Sequence, residues 1–117
     1  MLGQLLNASK SVTISNGQSL SGAIDLERET LVGVQIPAAW TSAGLSFQAS
    51  PDGVTYGEAK DENGSVITVA TLAATDFVIF PPSKFLGARF LKIRSGTSGA
   101  PVTQGADRVL TLTTRRL

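Results

Sequence analysis

The sequence predicts an all-β chain, folded as a single antiparallel β-sandwich or jelly roll of about eight strands. Three observations lead there. Short segments alternate apolar and polar residues with the period of a strand. Turn signals separate them at Asn16-Gly17, Pro51-Asp52-Gly53, Asn63-Gly64, Pro81-Pro82 and Ser95-Gly96. No segment of about ten residues or more carries a helical apolar period. At 117 residues the chain is long enough for one modest core, with no internal repeat, linker or second domain.

Residues 1–9 read as an N-terminal arm and residues 10–117 as the sandwich domain. Leu2, Leu5 and Leu6 supply at most a helical turn, which is marginal alone. Such an apolar arm either packs on its own domain or reaches a neighbour. In "SVTISNG" Val12 and Ile14 alternate with Thr13 and Ser15, and Asn16-Gly17 ends the run. "LSGAIDL" puts Leu20, Ile24 and Leu26 on one face. "TLVGVQIP" does the same for Val32, Val34 and Ile36 and closes at Pro37. The connection "IPAAWTSAGL" carries Trp40, the only tryptophan. It either plugs one end of the core or anchors an interface.

"LSFQAS" aligns Leu45, Phe47 and Ala49, and "PDG" then bends the chain tightly into a second strand around Tyr56. "VITVATL" and "FVIFPP" are denser apolar runs of the kind found in central strands. "ATDFVIFPPSKFLGARF" has room for one short turn at Pro82 to Leu86. "ARFLKIRSG" is a further strand, with Lys92 and Arg94 on one face and Leu91 and Ile93 on the other. "SGTSGAPVTQGAD" is the longest irregular segment. It is either a contacting surface loop, through Gly96, Thr97 and Pro101, or a plain connection. "RVLTLTTRRL" is the last strand and ends in Arg115 and Arg116.

Composition narrows the function. Ten Lys and Arg stand against nine Asp and Glu, so bulk electrostatics call for neither nucleic acid nor an anionic membrane. The cluster Arg89, Lys92, Arg94, Arg115 and Arg116 is either a solvated face or a dock for an acidic protein surface. Aromatic residues do not interleave with it, which weakens a nucleic-acid reading. The absence of histidine removes the usual general base, and the absence of cysteine removes thiol chemistry and thiolate metal sites. Ser9-Lys10 and Ser83-Lys84 are loop neighbours rather than a catalytic spacing. Asp61-Glu62 sits in "KDENGS", where turn geometry accounts for it and the spacing of a calcium loop is missing. "SGTSGAP" lacks the lysine of a phosphate loop. "MLGQLLNASK" reads as no signal peptide, and no window has the length of a membrane span, so a soluble chain is expected. The expectation is a non-enzyme without catalytic residues, metal or cofactor.

Two resemblances add to this. "LSFQASPDGVTYGEAKDENG" followed by "FLGARFLKIRSGT" resembles two elements of discoidin-like carbohydrate-binding jelly rolls: a strand into a Ser-x-Asp-Gly turn, then a later Ala-Arg-aromatic-x-Lys-Ile-Arg strand. From about Ser15 to Leu112, the wording "SNGQSLSGAIDL", "LVGVQIPAAWTSAGLSFQASPDGVTYGEAKDENGSVITV" and "FLGARFLKIRSGTSGAPVTQGADRVLTL" is similar to a family of small virion proteins of tailed bacteriophages. The arm Met1 to Lys10 and the tail Thr114 to Leu117 fall outside that pattern.

The second resemblance implies a capsid decoration or cement protein at junctions of major capsid subunits. Its partner would be the major capsid protein, and a homo-oligomer, with a trimer favoured, would sit on the virion surface after assembly in the host cytoplasm. Small jelly rolls serve such roles by burial rather than chemistry. The expected contacts are Leu2, Leu5, Leu6, Trp40, Lys92, Arg94, Gly96, Thr97, Pro101, Arg115 and Arg116. The first resemblance implies the alternative, a tail, baseplate or fibre module that binds host glycan. Its aromatic platform would be Tyr56 or Trp40, with Asp52 and Arg94 as polar neighbours.

Overall fold

The structure, a computed structural model, describes residues 6–117. The described chain runs through β1 (Asn7–Ile14), β2 (Ile24–Asp25), β3 (Glu29–Gln35), β4 (Ala43–Ser50), β5 (Gly57–Glu58), β6 (Thr68–Leu72), β7 (Phe77–Ile79), β8 (Phe90–Ser95) and β9 (Arg108–Arg116). One sheet has the order β1-β9-β3-β7, the other β2-β8-β4-β5 with β6 also on β4. Every pairing is antiparallel. The chain crosses repeatedly between sheets, and first and last strands lie side by side, which is the two-Greek-key plan of a jelly roll. The β1–β9 register runs from Asn7↔Arg115 to Ile14↔Arg108. Pairing of the strands thus begins at Asn7, within the stretch read as an arm.

Alternation supplies the core. Val12 and Ile14, Leu45 and Phe47, Leu91 and Ile93, and Leu110 and Leu112 point inward from four strands. Phe47, Phe80 and Phe85 meet edge to face, with ring centroids 4.9 to 6.0 Å apart. The chain after β7 forms turns at Pro81 to Lys84 and Phe85 to Ala88, which drop Phe85 into that cluster.

Four expectations are corrected. The face expected at Val32, Val34 and Ile36 is instead Leu31, Val34 and Ile36, because a bulge lies between Leu31 and Gly33. An extra residue at a bulge reverses the facing of what precedes it, so Val32 stays out of the core cluster. The runs expected as central strands are lateral ones: among the described residues β7 ends its sheet and β6 pairs only with β4. Their apolar density reflects exposed residues as well as buried ones. The expected face of Leu20, Ile24 and Leu26 holds for Ile24 and Leu26, whereas half-buried Leu20 bridges to Arg94.

The hairpin after β4 is also wider than a tight turn, since β5 begins after Tyr56. Side chains organise it. The Ser50 hydroxyl accepts from the Gly53 amide at 2.9 Å and donates to Asp52 Oδ1 at 2.9 Å. Asp52 Oδ1 accepts from the Val54 and Thr55 amides at 2.9 and 3.0 Å. Gly53 at φ 78° supplies the left-handed step.

Candidate functional site

The four-stranded sheet has an unusual outer face. Leu110, Leu112 and Thr114 of β9 point inward, which leaves Val109, Thr111, Thr113 and Arg115 outside. On β1, Val12 and Ile14 point inward, which leaves Asn7, Ser9, Ser11 and Thr13 outside. Most of this face is therefore uncharged and hydroxyl-rich. At its β7 border it turns apolar: Phe77 is 50% and Ile79 81% exposed.

Gly33 on β3 shapes this border. A Cβ there would stand 2.8 Å from Cε1 of Phe77 and 3.4 Å from Cβ of Thr113, so the ring lies over a position that only glycine leaves open. Phe80 and Pro82 continue the apolar wall beyond β7. Together with Val32, Asn7, Thr113 and Arg115 they line a groove of about 520 Å³. The Arg115 guanidinium is held at the rim by donating to Asn7 Oδ1 at 3.2 Å. Thr30, paired with Arg115 in the same sheet, is fully buried, and its hydroxyl has no partner among the described residues.

The far edge of β7 is open. The Ile36 amide donates to the Asp76 carbonyl and the Phe80 amide to the Val32 carbonyl. Residues of that parity face β3, so the peptide groups of Phe77 and Ile79 face away from it. Among the described residues no strand pairs with them. An edge this apolar and unprotected invites a covering segment or partner.

The residues singled out in the sequence do not converge here. Leu2 and Leu5 lie outside the described residues. Leu6 is half-buried, and its carbonyl accepts from the Arg116 amide at 2.6 Å. Arg115 reaches the groove, whereas exposed Arg116 lines a separate recess with Glu27, Arg28, Glu29 and Leu117. Lys92 and Arg94 belong to the other sheet. Lys92 sets its ammonium 4.3 Å from the centre of the Tyr56 ring, occupying a face of that aromatic.

Arg94 is not part of a solvated basic face: it is 7% exposed. Its guanidinium grips both Glu58 oxygens, at 2.6 and 3.2 Å, and donates to Ser46 Oγ at 3.0 Å. The short strand β5 delivers that carboxylate, a pairing between distant segments that strand periodicity cannot show.

Trp40 is half-buried against the core, and its indole nitrogen is buried with no partner among the described residues. The glycine-rich segment is a fastened loop. Thr97 and Ala100 exchange backbone hydrogen bonds, and the Val102 amide donates to the Ser95 carbonyl. Buried Gln104 accepts from the Thr41 amide at 2.9 Å and donates to the Thr41 carbonyl at 3.1 Å. Gly96 is buried, whereas Thr97 and Pro101 form an exposed tip. Val32, Gly33, Phe77, Ile79 and Pro82 were not singled out as contacts. For Phe77, Ile79 and Pro82 the signal was "FVIFPP": prolines directly after a dense apolar run mark an edge.

Among the described residues no group of three or more His, Cys, Asp or Glu stands close enough to hold a metal ion. What the groove offers is apolar area, an open strand edge and one guanidinium.

No protein-family profile and no curated protein sequence matches this chain. Solved structures do. The SPBc2 prophage-derived protein YomS aligns with a TM-score of 0.50 and 15% identity, over 93% of this chain and 94% of that one. The Yersinia pseudotuberculosis-derived mitogen aligns at a TM-score of 0.38 and 12% identity, over 95% of this chain and 86% of that one. At such identities the likeness to YomS is one of fold.

Proposed function

We propose that this protein is a non-enzymatic structural component of a tailed-phage virion. Within the particle it decorates or cements the capsid at junctions of major capsid subunits, as a homo-oligomer with a trimer favoured. The observation that carries this reading is the outer face of the β1-β9-β3-β7 sheet, mostly uncharged and hydroxyl-rich, with an apolar groove beside an edge that is unpaired among the described residues. That surface suits binding by burial and strand pairing. The fold likeness to a prophage-derived protein over nearly the whole chain supports the phage setting.

Copy number in purified particles, relative to the major capsid protein, tests the proposal. A ratio near one, or a simple fraction of it, is expected for a decoration protein. A few copies per particle would move it to the tail, and absence from particles would overturn the structural role. The glycan-binding alternative has less support, because Lys92 covers a face of Tyr56 and Trp40 packs on the core.

A further inference from the structure

The chain holds two Asn-Gly pairs, Asn16-Gly17 and Asn63-Gly64, and one Asp-Gly pair, Asp52-Gly53. An asparagine before glycine is chemically vulnerable, because no Cβ shields the next backbone nitrogen or restricts its rotation. That nitrogen can attack the side-chain carbonyl carbon. The fold treats the three pairs differently. The Gly17 amide donates to the Gln104 carbonyl at 2.8 Å, and the Asn16 amide donates to Asp107 Oδ1 at 2.7 Å. Gln104 is buried and clamped to Thr41, so this turn is fastened to a segment far along the chain. The Gly53 amide donates to the Ser50 hydroxyl, and the Val54 and Thr55 amides hold the Asp52 carboxylate. An ionised carboxylate so held is a poor target for attack. The Asn63-Gly64 turn closes on itself instead. The Asp61 amide donates to the Ser65 carbonyl at 2.9 Å and the Gly64 amide to the Asp61 carbonyl at 3.0 Å. The Asn63 and Ser65 amides donate to Asp61 Oδ1 at 2.8 and 3.0 Å. Every residue from 60 to 66 is exposed. Opening this tip breaks local bonds alone, which places it at the low end of local stability.

We propose that Asn63 is a site of spontaneous deamidation in the folded protein, and that hydrogen bonds protect Asn16 and Asp52 from the same reaction. The Gly64 nitrogen bonds to Cγ of Asn63, the Cγ–Nδ2 bond breaks, and ammonia leaves with the proton that the nitrogen gives up. Water then opens the five-membered imide on either side, giving aspartate or isoaspartate. The formal net charge falls from +1 by one unit, and the new carboxylate directly follows Asp61 and Glu62. Those two line a recess of about 550 Å³ with Lys60 and Lys84, so ageing puts a third carboxylate beside it. The isoaspartyl form also lengthens the backbone by one methylene, in the turn between β5 and β6. Both strands belong to the sheet that the proposed docking face does not include. The modification is therefore independent of a place in a virion.

Trypsin separates the two asparagines: cleavage after Lys10, Arg28, Lys60 and Lys84 puts Asn16 in peptide 11–28 and Asn63 in peptide 61–84. The full-length protein is aged folded in mildly alkaline buffer, and in parallel in urea, then digested and weighed by mass spectrometry. In the folded sample peptide 61–84 is expected to accumulate the mass gain of an amide-to-acid exchange, with isoaspartate shown by enzymatic methylation. Peptide 11–28 should gain it about tenfold or more slowly. In urea, where the folded bonds are gone, the two should react at similar rates. Equal rates in the folded protein would overturn the selectivity. An Asn16 that stays slow in urea would trace the difference to local sequence and overturn protection by the fold. Reaction of peptide 61–84 in urea alone would overturn the site. Asn63→Gln should abolish the acidic band that ageing folded protein gains on isoelectric focusing. A band that persists would place the modification elsewhere and overturn the assignment.

Discussion

Asp52, Asp25 and Glu29 show how single side chains tie pH to stability. The Thr55 and Val54 amides, with the Ser50 hydroxyl, hold the Asp52 carboxyl below its ordinary value. The Arg89 guanidinium does so for Asp25, at 2.7 Å, and the Thr114 hydroxyl chiefly does so for Glu29, at 2.6 Å. A depressed folded value means that the charged form is favoured by folding. That stability is present above the unfolded value, about 4 for carboxylates, and is lost as pH falls through the lower folded values. Thermal unfolding should shift downward as pH drops below about 4, and Asp52→Asn should weaken that dependence. The Arg94–Glu58 pair makes a second prediction. Glu58→Ala would strand a buried guanidinium, at a cost of about 2–4 kcal/mol, low in the buried-pair range because Glu58 is 20% exposed. Replacing both by Met and Leu should recover most of it; urea unfolding of the three proteins checks the comparison. Of these arrangements only the Ser50–Asp52–Gly53 turn was legible in sequence, because its partners are chain neighbours. Arg94 and Glu58 are 36 residues apart, and nothing local announces their meeting.

Strands were the most legible elements, since alternation is a local property and each turn carries its own chemistry. Their position within a sheet was not. "VITVATL" and "FVIFPP" have the composition of central strands, yet β6 and β7 are lateral, because apolar density does not record which side is covered. Glycines mark the close approaches between elements. A Cβ at Gly44 would collide with the Val69 carbonyl of β6, and a backbone oxygen in a paired strand cannot step aside. Gly44→Ala should therefore destabilise by about 1–3 kcal/mol. Gly33→Ala should cost less, because only the half-exposed Phe77 ring has to swing away. Chemical denaturation of the pair tests that order, and equal losses would contradict it.

For the whole molecule, the prediction separates folding from docking. Ile79 is 81% exposed, so Ile79→Asp should change unfolding free energy by no more than about 0.5 kcal/mol. The same change puts a charge on the apolar groove and should weaken binding to particles that lack this protein, measured by co-sedimentation. Phe47→Ala should do the reverse, costing about 3–5 kcal/mol by opening the aromatic cluster while leaving the outer face intact. If Ile79→Asp binds particles as the unaltered chain does, the groove is not the docking surface.

The sequence by itself determined an all-β sandwich, the approximate strands and turns, and the residues filling most of the core. These follow from period, turn chemistry and burial, which act over a few residues. Tertiary structure alone decided which strands became edges, that a bulge turned Val32 out of the core, and that Arg94 was neutralised by Glu58. It also gathered Asn7, Val32, Ile79, Pro82 and Arg115 around one groove. Those outcomes depend on contacts between segments remote in the chain, and a local pattern carries no record of its distant partner.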